Sequence, residues 1–378
     1  MLGLPSPSTR SLLALLRRPA DPARVQQVLR RNPDWEQVLA AATSHGVSSL
    51  LYTALRSPGG RCPIATGVME RLEAQYYAQA ALNVSLHGEL ERVLSAFTEE
   101  QIPVIVLKGA ALAEEVYGNI ALRSMQDLDL LARWRDLDAA DSLMRVLGYL
   151  PDDSYRSLEW YRNQHHHLAP YGSKDGRTVV EIHHHIVPPA ASVRVPIEEL
   201  WTRARRARVA SVRALVFSPE DQLLHQCLDI SCVDRFARKL RALYDIVAIT
   251  DRYRSKIDWP QVVAAARAYR ASRAVYYPLC LAQHVAGAEV PDGVLRDLRT
   301  SADCPPLLDL LLRSITRHAM LVSPSPAGEV PAWILARTCR DLLEARGTWG
   351  AIKATRPLDL AGRALRHLAL IGRRSSAS

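Results

Sequence analysis

The chain has 378 residues, 48% of them apolar and 23% charged; that is about two to three domain lengths, and the composition excludes a chain kept disordered by low hydrophobicity. Lys and Arg outnumber Asp and Glu by 48 to 39, a net charge of +9, but only five of the bases are Lys and the Arg are scattered along the whole chain. A diffuse surplus of this kind lacks the clustered footprint of a nucleic-acid binder. Six cysteines form no Cys-x-x-Cys pair and read as reduced core thiols. The apolar run Leu12 to Leu16 is followed, not preceded, by Arg17 and Arg18, unlike a signal peptide, and no run approaches the roughly 18 apolar residues of a membrane span. A cytoplasmic protein without membrane contact is expected.

In chain order, short helices are expected over 33–45 and 48–55, ended by Gly46 and the turn Ser57-Pro58-Gly59-Gly60, and a longer one over 67–98 with Leu72, Leu82, Leu86, Leu90, Val93, Leu94 and Phe97 at helical spacing. The texture then changes. Ile102-Pro103-Val104-Ile105-Val106-Leu107 is a short β-branched apolar run, the mark of a buried strand, closed by Lys108-Gly109 and followed by a helix over 110–117. Leu128-Asp129-Leu130-Leu131 predicts a second strand, entered through Asp127, and 136–147 a helix stopped by Gly148. Residues 165–171 and 177–187 predict a hairpin around Asp175-Gly176. From Ile197 on the pattern reads as helical, with Ser218-Pro219-Glu220-Asp221 a well-formed helix start and 235–250 an amphipathic helix, before a loop at Ser323-Pro324-Ser325-Pro326 and a frayed end over 373–378. The expected class is α+β in three parts: a helical region 1–98, a sheet-containing core 99–196 and a helical region 197–378.

Side chains alternate along a strand, so Asp127 and Asp129 point the same way, about 6–7 Å apart, while Leu128 and Leu130 face the core. Glu181, between the apolar Val180 and Ile182, offers a third acid on the hairpin strand. Clustered carboxylates repel unless a cation lies between them, and hard oxygen ligands select Mg²⁺ or Mn²⁺. Three such acids suit displacement at phosphorus. An Asp-x-Asp on its own is equally a pair of surface acids at a strand edge; what distinguishes this one is the upstream strand-Gly turn with its adjacent Lys, and the third acid downstream.

Leu107-Lys108-Gly109-Ala110-Ala111-Leu112, Tyr117, Arg123, Asp127-Leu128-Asp129-Leu130-Leu131, Gly148-Tyr149 and Glu181-Ile182-His183 together resemble the uncharacterised nucleotidyltransferase family of the DNA polymerase β-like superfamily. The match runs over about residues 70–250, more loosely across Leu215 to Asp245. The resemblance implies a small mixed sheet with helices, followed by a helical domain, and transfer of a nucleoside monophosphate from an NTP to an acceptor with release of pyrophosphate. It implies further that Asp127 and Asp129 bind metal, that Glu181 completes the site and activates the acceptor hydroxyl, and that the backbone at Gly109 approaches the phosphates. The general superfamily places Gly-Ser or Gly-Gly before the acids. Here Lys108-Gly109-Ala110 lacks that serine, a variant normal for the named family, and Lys108, Arg123 or Ser124 would supply the missing phosphate contact.

Two histidine triplets, 165–167 and 183–185, sit on the hairpin arms. His183 is expected to contact phosphate or acceptor, and His166 and His184 to be ordinary strand residues. A zinc centre is not expected, because chemistry built on zinc would leave the Asp pair without a task. His225 and Asp229, four apart on one helix, read as a local hydrogen bond in preference to cleft lining, and Arg238, Lys239 and Arg241 as a solvated face in preference to a triphosphate clamp. The acceptor is expected to be a small molecule, peptide or protein and not a nucleic acid. The competing classes are a catalytically weak, antitoxin-like nucleotide binder, which the intact acids disfavour, and an RNA-directed transferase, which would need its Arg gathered around the cleft.

Overall fold

The computed structural model describes residues 5–56, 64, 66–236, 240–301 and 343. Seven strands build one mixed sheet: β1 (Val104–Val106), β2 (Leu128–Ala132), β3 (Leu150–Pro151), β4 (Tyr171–Gly172), β5 (Val179–His183), β6 (Arg205–Val209) and β7 (Val212–Val216), in the spatial order β3-β4-β5-β2-β1-β7-β6. β1 lies antiparallel to β2 and parallel to β7, and β2 parallel to β5, with Asp129 opposite Glu181. Helices make up most of the remaining described residues, so the class is α+β, as expected.

Strand alternation divides the interior in two. Val104, Val106, Leu128, Leu130, Val180 and Ile182 pack with Leu90, Val93, Leu94 and Phe97 from the second half of the long helix Thr66–Glu99. Ile105, Leu107 and Leu131 instead join a second core, which holds the N-terminal helices and the helices that follow Pro219. Asp129 lies between Leu128 and Leu130, and therefore on the sheet face turned toward those later helices. That face carries the site.

The helices expected in the first hundred residues form as Trp35–Ser44, Ser48–Arg56 and Thr66–Glu99. The hairpin forms through β4 and β5, with Tyr171 opposite Val180 and Gly176 at φ +69° in the turn, a conformation that glycine adopts at little cost. Ser218 caps the helix Pro219–Leu228 by accepting from the Asp221 amide. The turn at 57–60, Arg238, Lys239, the loop at 323–326 and the end at 373–378 lie outside the described residues.

Several expectations need correction. The first hairpin arm is not a strand from His165: a helix, Leu158–Gln164, precedes it, and of the first triplet only His167 bridges to β5, opposite His183. Residues after Ile197 are not uniformly helical either. A helix, Ile197–Arg203, gives way to β6 and β7, joined at Ala210 and Ser211 with φ of +47° and +65°. Such a turn usually announces itself by Asn-Gly, which is lacking here. The helix expected over 235–250 forms as Arg241–Arg252, and Pro7–Leu16 and Pro22–Arg30 are additional helices capped by Ser6 and Asp21. Among the described residues no helix is long and apolar enough to cross a membrane.

One buried ion pair ties the sheet to the later helices. Arg123 donates from Nη2 and Nε to the Asp245 carboxylate at 3.0 and 3.3 Å, and the Tyr117 hydroxyl donates to the same carboxylate at 2.8 Å. Asp245 is 0% exposed, and Asn83 from the long helix fixes the other side of the loop by donating to the Arg123 carbonyl at 2.9 Å. Asp245→Ala would leave the Arg123 guanidinium buried without its counter-charge, and urea unfolding should report a loss of about 3–5 kcal/mol.

Candidate active site

Strand β1 ends at Val106, and the amide of the next residue, Leu107, donates to the Asp129 carbonyl of β2 at 2.9 Å. The chain then turns abruptly. Lys108 opens the helix Lys108–Glu115 with φ +39°, a left-handed conformation that is costly for a side-chain-bearing residue and is typically found at functional sites. Gly109 follows because nothing larger fits: a Cβ there would lie 2.7 Å from Arg123 Nη1 and 3.0 Å from Met125. The glycine therefore makes room for the Arg123 layer beneath it.

The strained turn aims Lys108 at the acids. Its Nζ lies 3.0 Å from Asp229 Oδ1 and 3.8 Å from Asp129 Oδ1. Burial opposes the ammonium charge, but Asp129, Asp229 and Glu181 outweigh it, and Lys108 stays protonated far above neutral pH. Asp229 reaches this point because the helix Pro219–Leu228 continues as a π turn over Asp229–Val233, an irregularity common at functional sites. No hydrogen bond joins His225 to Asp229, contrary to expectation: Asp229 is drawn to Lys108, while burial and the Lys108 charge push the His225 imidazole down to about 3.

The acids converge as the strand register dictates. His183 Nε2 lies 2.8 Å from Asp129 Oδ1 and 3.4 Å from Glu181 Oε2. Burial disfavours its charge, yet these two carboxylates raise its pKa to about 9. In return, against a burial that favours the neutral acid, Lys108 and His183 hold Asp129 well below the usual carboxylate range, and the His183 hydrogen bond keeps Glu181 low. Asp127 is different. Burial and the charges of Asp129 and Glu181 push it up to about 6. A half-buried carboxylate crowded by two others is a ready ligand for a divalent cation, and hard oxygen donors suit Mg²⁺ or Mn²⁺. Asp129, Glu181 and His183 each offer a ligand atom within 4.8 Å of the others.

Asp127, Asp129, Glu181, Lys108 and Arg123 all line one cavity of about 340 Å³, together with the first His triplet, Asp229, Asp234, Arg241 and Asp245. Its walls carry six carboxylates against three Lys and Arg. The other expected site residues are deployed differently. Arg123 reaches the cavity but spends its guanidinium on Asp245. Ser124 Oγ donates to the Gly46 carbonyl at 3.4 Å, and the Ser124 carbonyl accepts from Arg241 at 2.7 Å, so this serine anchors the N-terminal region to the later helices. Arg241 is accordingly part of the interior and not a solvated face. His183 is 1% exposed and committed to the acids. His166 is buried among His165, His167 and His183 and is no ordinary strand residue, whereas His184 packs edge-on against Trp134.

A family model described as uncharacterised nucleotidyltransferase matches residues 31–287. The chain belongs to this nucleotidyltransferase family. No curated protein and no solved structure matches it. Family membership thus covers the whole sheet, the acids and the helices that supply Asp229 and Asp245, and assigns this nucleotidyltransferase to the transferases at that coarse level.

The His183 pKa carries a consequence for stability. A group whose pKa rises on folding, here from 6.5 to about 9, contributes stability that is complete below pH 6.5 and is lost as pH climbs through 9. With chelator present, thermal or urea unfolding of the nucleotidyltransferase should show a loss of up to about 3 kcal/mol between pH 6 and 10, and His183→Gln should flatten that slope.

Proposed function

We propose that the protein is a metal-dependent nucleotidyltransferase that moves a nucleoside monophosphate from an NTP to a hydroxyl or similar acceptor, with a polymerase β-like arrangement of its core. The observation that carries this reading is the pairing of Asp129 with Glu181 across neighbouring strands, with Asp127 beside them in the same cavity and raised to about 6. Asp127, Asp129 and Glu181 would hold Mg²⁺ or Mn²⁺, which when bound supplies Lewis-acid polarisation of the phosphate oxygens and neutralises their charge. An acid-rich cavity repels a triphosphate without such an ion, which agrees with metal dependence.

In the reaction the acceptor oxygen bonds to the α-phosphorus, and the bond from that phosphorus to the bridging oxygen breaks, releasing pyrophosphate. The proton leaving the acceptor hydroxyl passes to the Glu181 carboxylate. His183 positions Asp129 and Glu181 by donating between them, and Lys108 holds Asp129 and Asp229 together as their shared counter-ion. Gly109 leaves room for Arg123 and Met125 under the start of the helix Lys108–Glu115, and so keeps Lys108 and the loop before Asp127 together. The acceptor we favour is a small molecule, peptide or protein. The +9 charge of the chain does not extend to the cavity walls, so a polyanionic nucleic acid finds little attraction there.

Incubation with each NTP and a cell extract as acceptor source, read by pyrophosphate release, tests the reading. Asp127→Asn and Asp129→Asn should each abolish Mg²⁺-dependent release while circular dichroism stays native. Glu181→Gln should slow it by about 10²–10⁴-fold with nucleotide binding retained. Full activity in either Asp variant would overturn the assignment. RNA and DNA should be retained weakly, released by moderate salt and left unlabelled by an α-labelled NTP; a labelled RNA that depends on Asp127 would move the acceptor to the nucleic acids.

A further inference from the structure

The first histidine triplet has no part in the transfer chemistry above, yet it lines the same cavity, with His166 and His167 buried and His165 half-buried. At His165 the chain leaves the helix Leu158–Gln164, and since only His167 is held in a strand pairing, the alternation that would separate three consecutive side chains is lost. The three rings gather instead, with centroids 4.4 Å (His165–His166), 4.1 Å (His165–His167) and 4.9 Å (His166–His167) apart. One ring nitrogen from each lies within 4.8 Å of the other two.

Each ring also has a nitrogen that no hydrogen bond occupies. His165 Nδ1 and His166 Nδ1 are buried and have no hydrogen-bond partner. His167 Nδ1 lies 2.6 Å from the Leu168 carbonyl; a carbonyl only accepts, so Nδ1 carries the hydrogen and Nε2 is left with its lone pair. That Nε2 stands 3.6 Å from Glu181 Oε2. Two acceptors facing each other in a buried site are unfavourable unless a proton or a cation lies between them. An imidazole whose second nitrogen donates to a backbone carbonyl is also the usual orientation of a metal-bound histidine.

We propose that His165, His166 and His167 form a site for a borderline transition metal, zinc by chemical class, distinct from the carboxylate site and bordering it at Glu181 and His183. Neutral imidazoles favour such an ion over Mg²⁺, which prefers oxygen. Ligands at about 2.0–2.1 Å from zinc lie roughly 3.4 Å apart in a tetrahedron, so closure asks for ring rotations of about an ångström. All three histidines line the cavity, which leaves the fourth position open toward Glu181 and whatever enters. This reverses the expectation that the triplets hold no zinc. It stands apart from the transfer reaction, because its test reads metal binding.

The full-length protein, stripped with EDTA and desalted, is titrated with Co²⁺ and with Zn²⁺. We expect about one ion per chain, intense visible d–d absorption for tetrahedral Co²⁺, and a rise in Tm with Zn²⁺ that Mg²⁺ at the same concentration does not produce. His165→Asn and His166→Asn should each weaken Zn²⁺ by about 10–100-fold, and Asp127→Asn should leave the Co²⁺ band unchanged. Absence of both the band and the Tm shift in the unaltered protein overturns the proposal, and does so without reference to any variant. Zinc binding that survives both His substitutions but is lost in Asp129→Asn overturns it too, by moving the ion to Asp129, Glu181 and His183. The first result leaves the nucleotidyl-transfer reading untouched; the second puts zinc on acids that reading assigns to Mg²⁺ or Mn²⁺, and pyrophosphate release with Mg²⁺ alone tells the two apart.

Discussion

The arrangement of this protein depends on crowding carboxylates at one point and keeping them charged. Asp129 is almost fully buried, Glu181 faces it from the next strand, and Asp229 approaches from a helix 100 residues further along the chain. Left alone, such a group would take up protons. Lys108 and His183 prevent this from two directions, the one through an ion pair to Asp229 and a longer approach to Asp129, the other through hydrogen-bonding distance to Asp129 and Glu181. The strained Lys108 backbone is then intelligible: an ordinary helical start would not aim the ammonium group at both helix and strand. Asp127, which receives least of this compensation, is the carboxylate left poised near neutral pH.

Around that centre the structure separates holding from reacting. Arg123, Ser124 and Arg241 carry phosphate-friendly groups, but each is occupied with joining one part of the chain to another: Arg123 with Asp245, and Ser124 with both Gly46 and Arg241. Their contribution to any chemistry is to fix the loop that delivers Asp127. The family match from 31 to 287 encloses this web of contacts, which runs from Gly46 after the N-terminal helix Trp35–Ser44 to Asp245.

What was legible in the sequence was local. The run Val104-Ile105-Val106 and the alternation Leu128-Asp129-Leu130 specify their strands and the facing of their side chains, and the same alternation places Glu181 in β5. Ser218-Pro219 likewise announces its helix. What escaped required tertiary information. Asp229 matters because of a π turn, which sequence periodicity does not encode. The gathering of His165, His166 and His167 depends on a break in strand geometry between a helix and a bridge. Asp245 did leave a trace, being a lone acid among Leu243, Ile246 and Val247, but its partner lies 122 residues away. β6 and β7 were hidden by their turn, since Ala210-Ser211 lacks the residues that normally mark a hairpin, although Arg206 and Arg208 alternate with Ala207 and Val209 as an edge strand should.

The parallel pairing of β1 with β7 constrains how the chain can be divided. β1 is three residues long, and one of its two edges is covered only by β7, which lies more than a hundred residues downstream. A fragment ending at residue 196 would keep all three acids in sequence but leave that edge bare, open to pairing with a second molecule. It would also lose the strand that leads directly into the helix carrying Asp229. During synthesis the same dependence means that Lys108 meets Asp229, the nearest of its counter-ions, late, after some 120 further residues have been added. Until then Lys108 and His183 face Asp129 and Glu181 alone, and the ammonium group lacks the carboxylate that lies nearest to it in the finished fold.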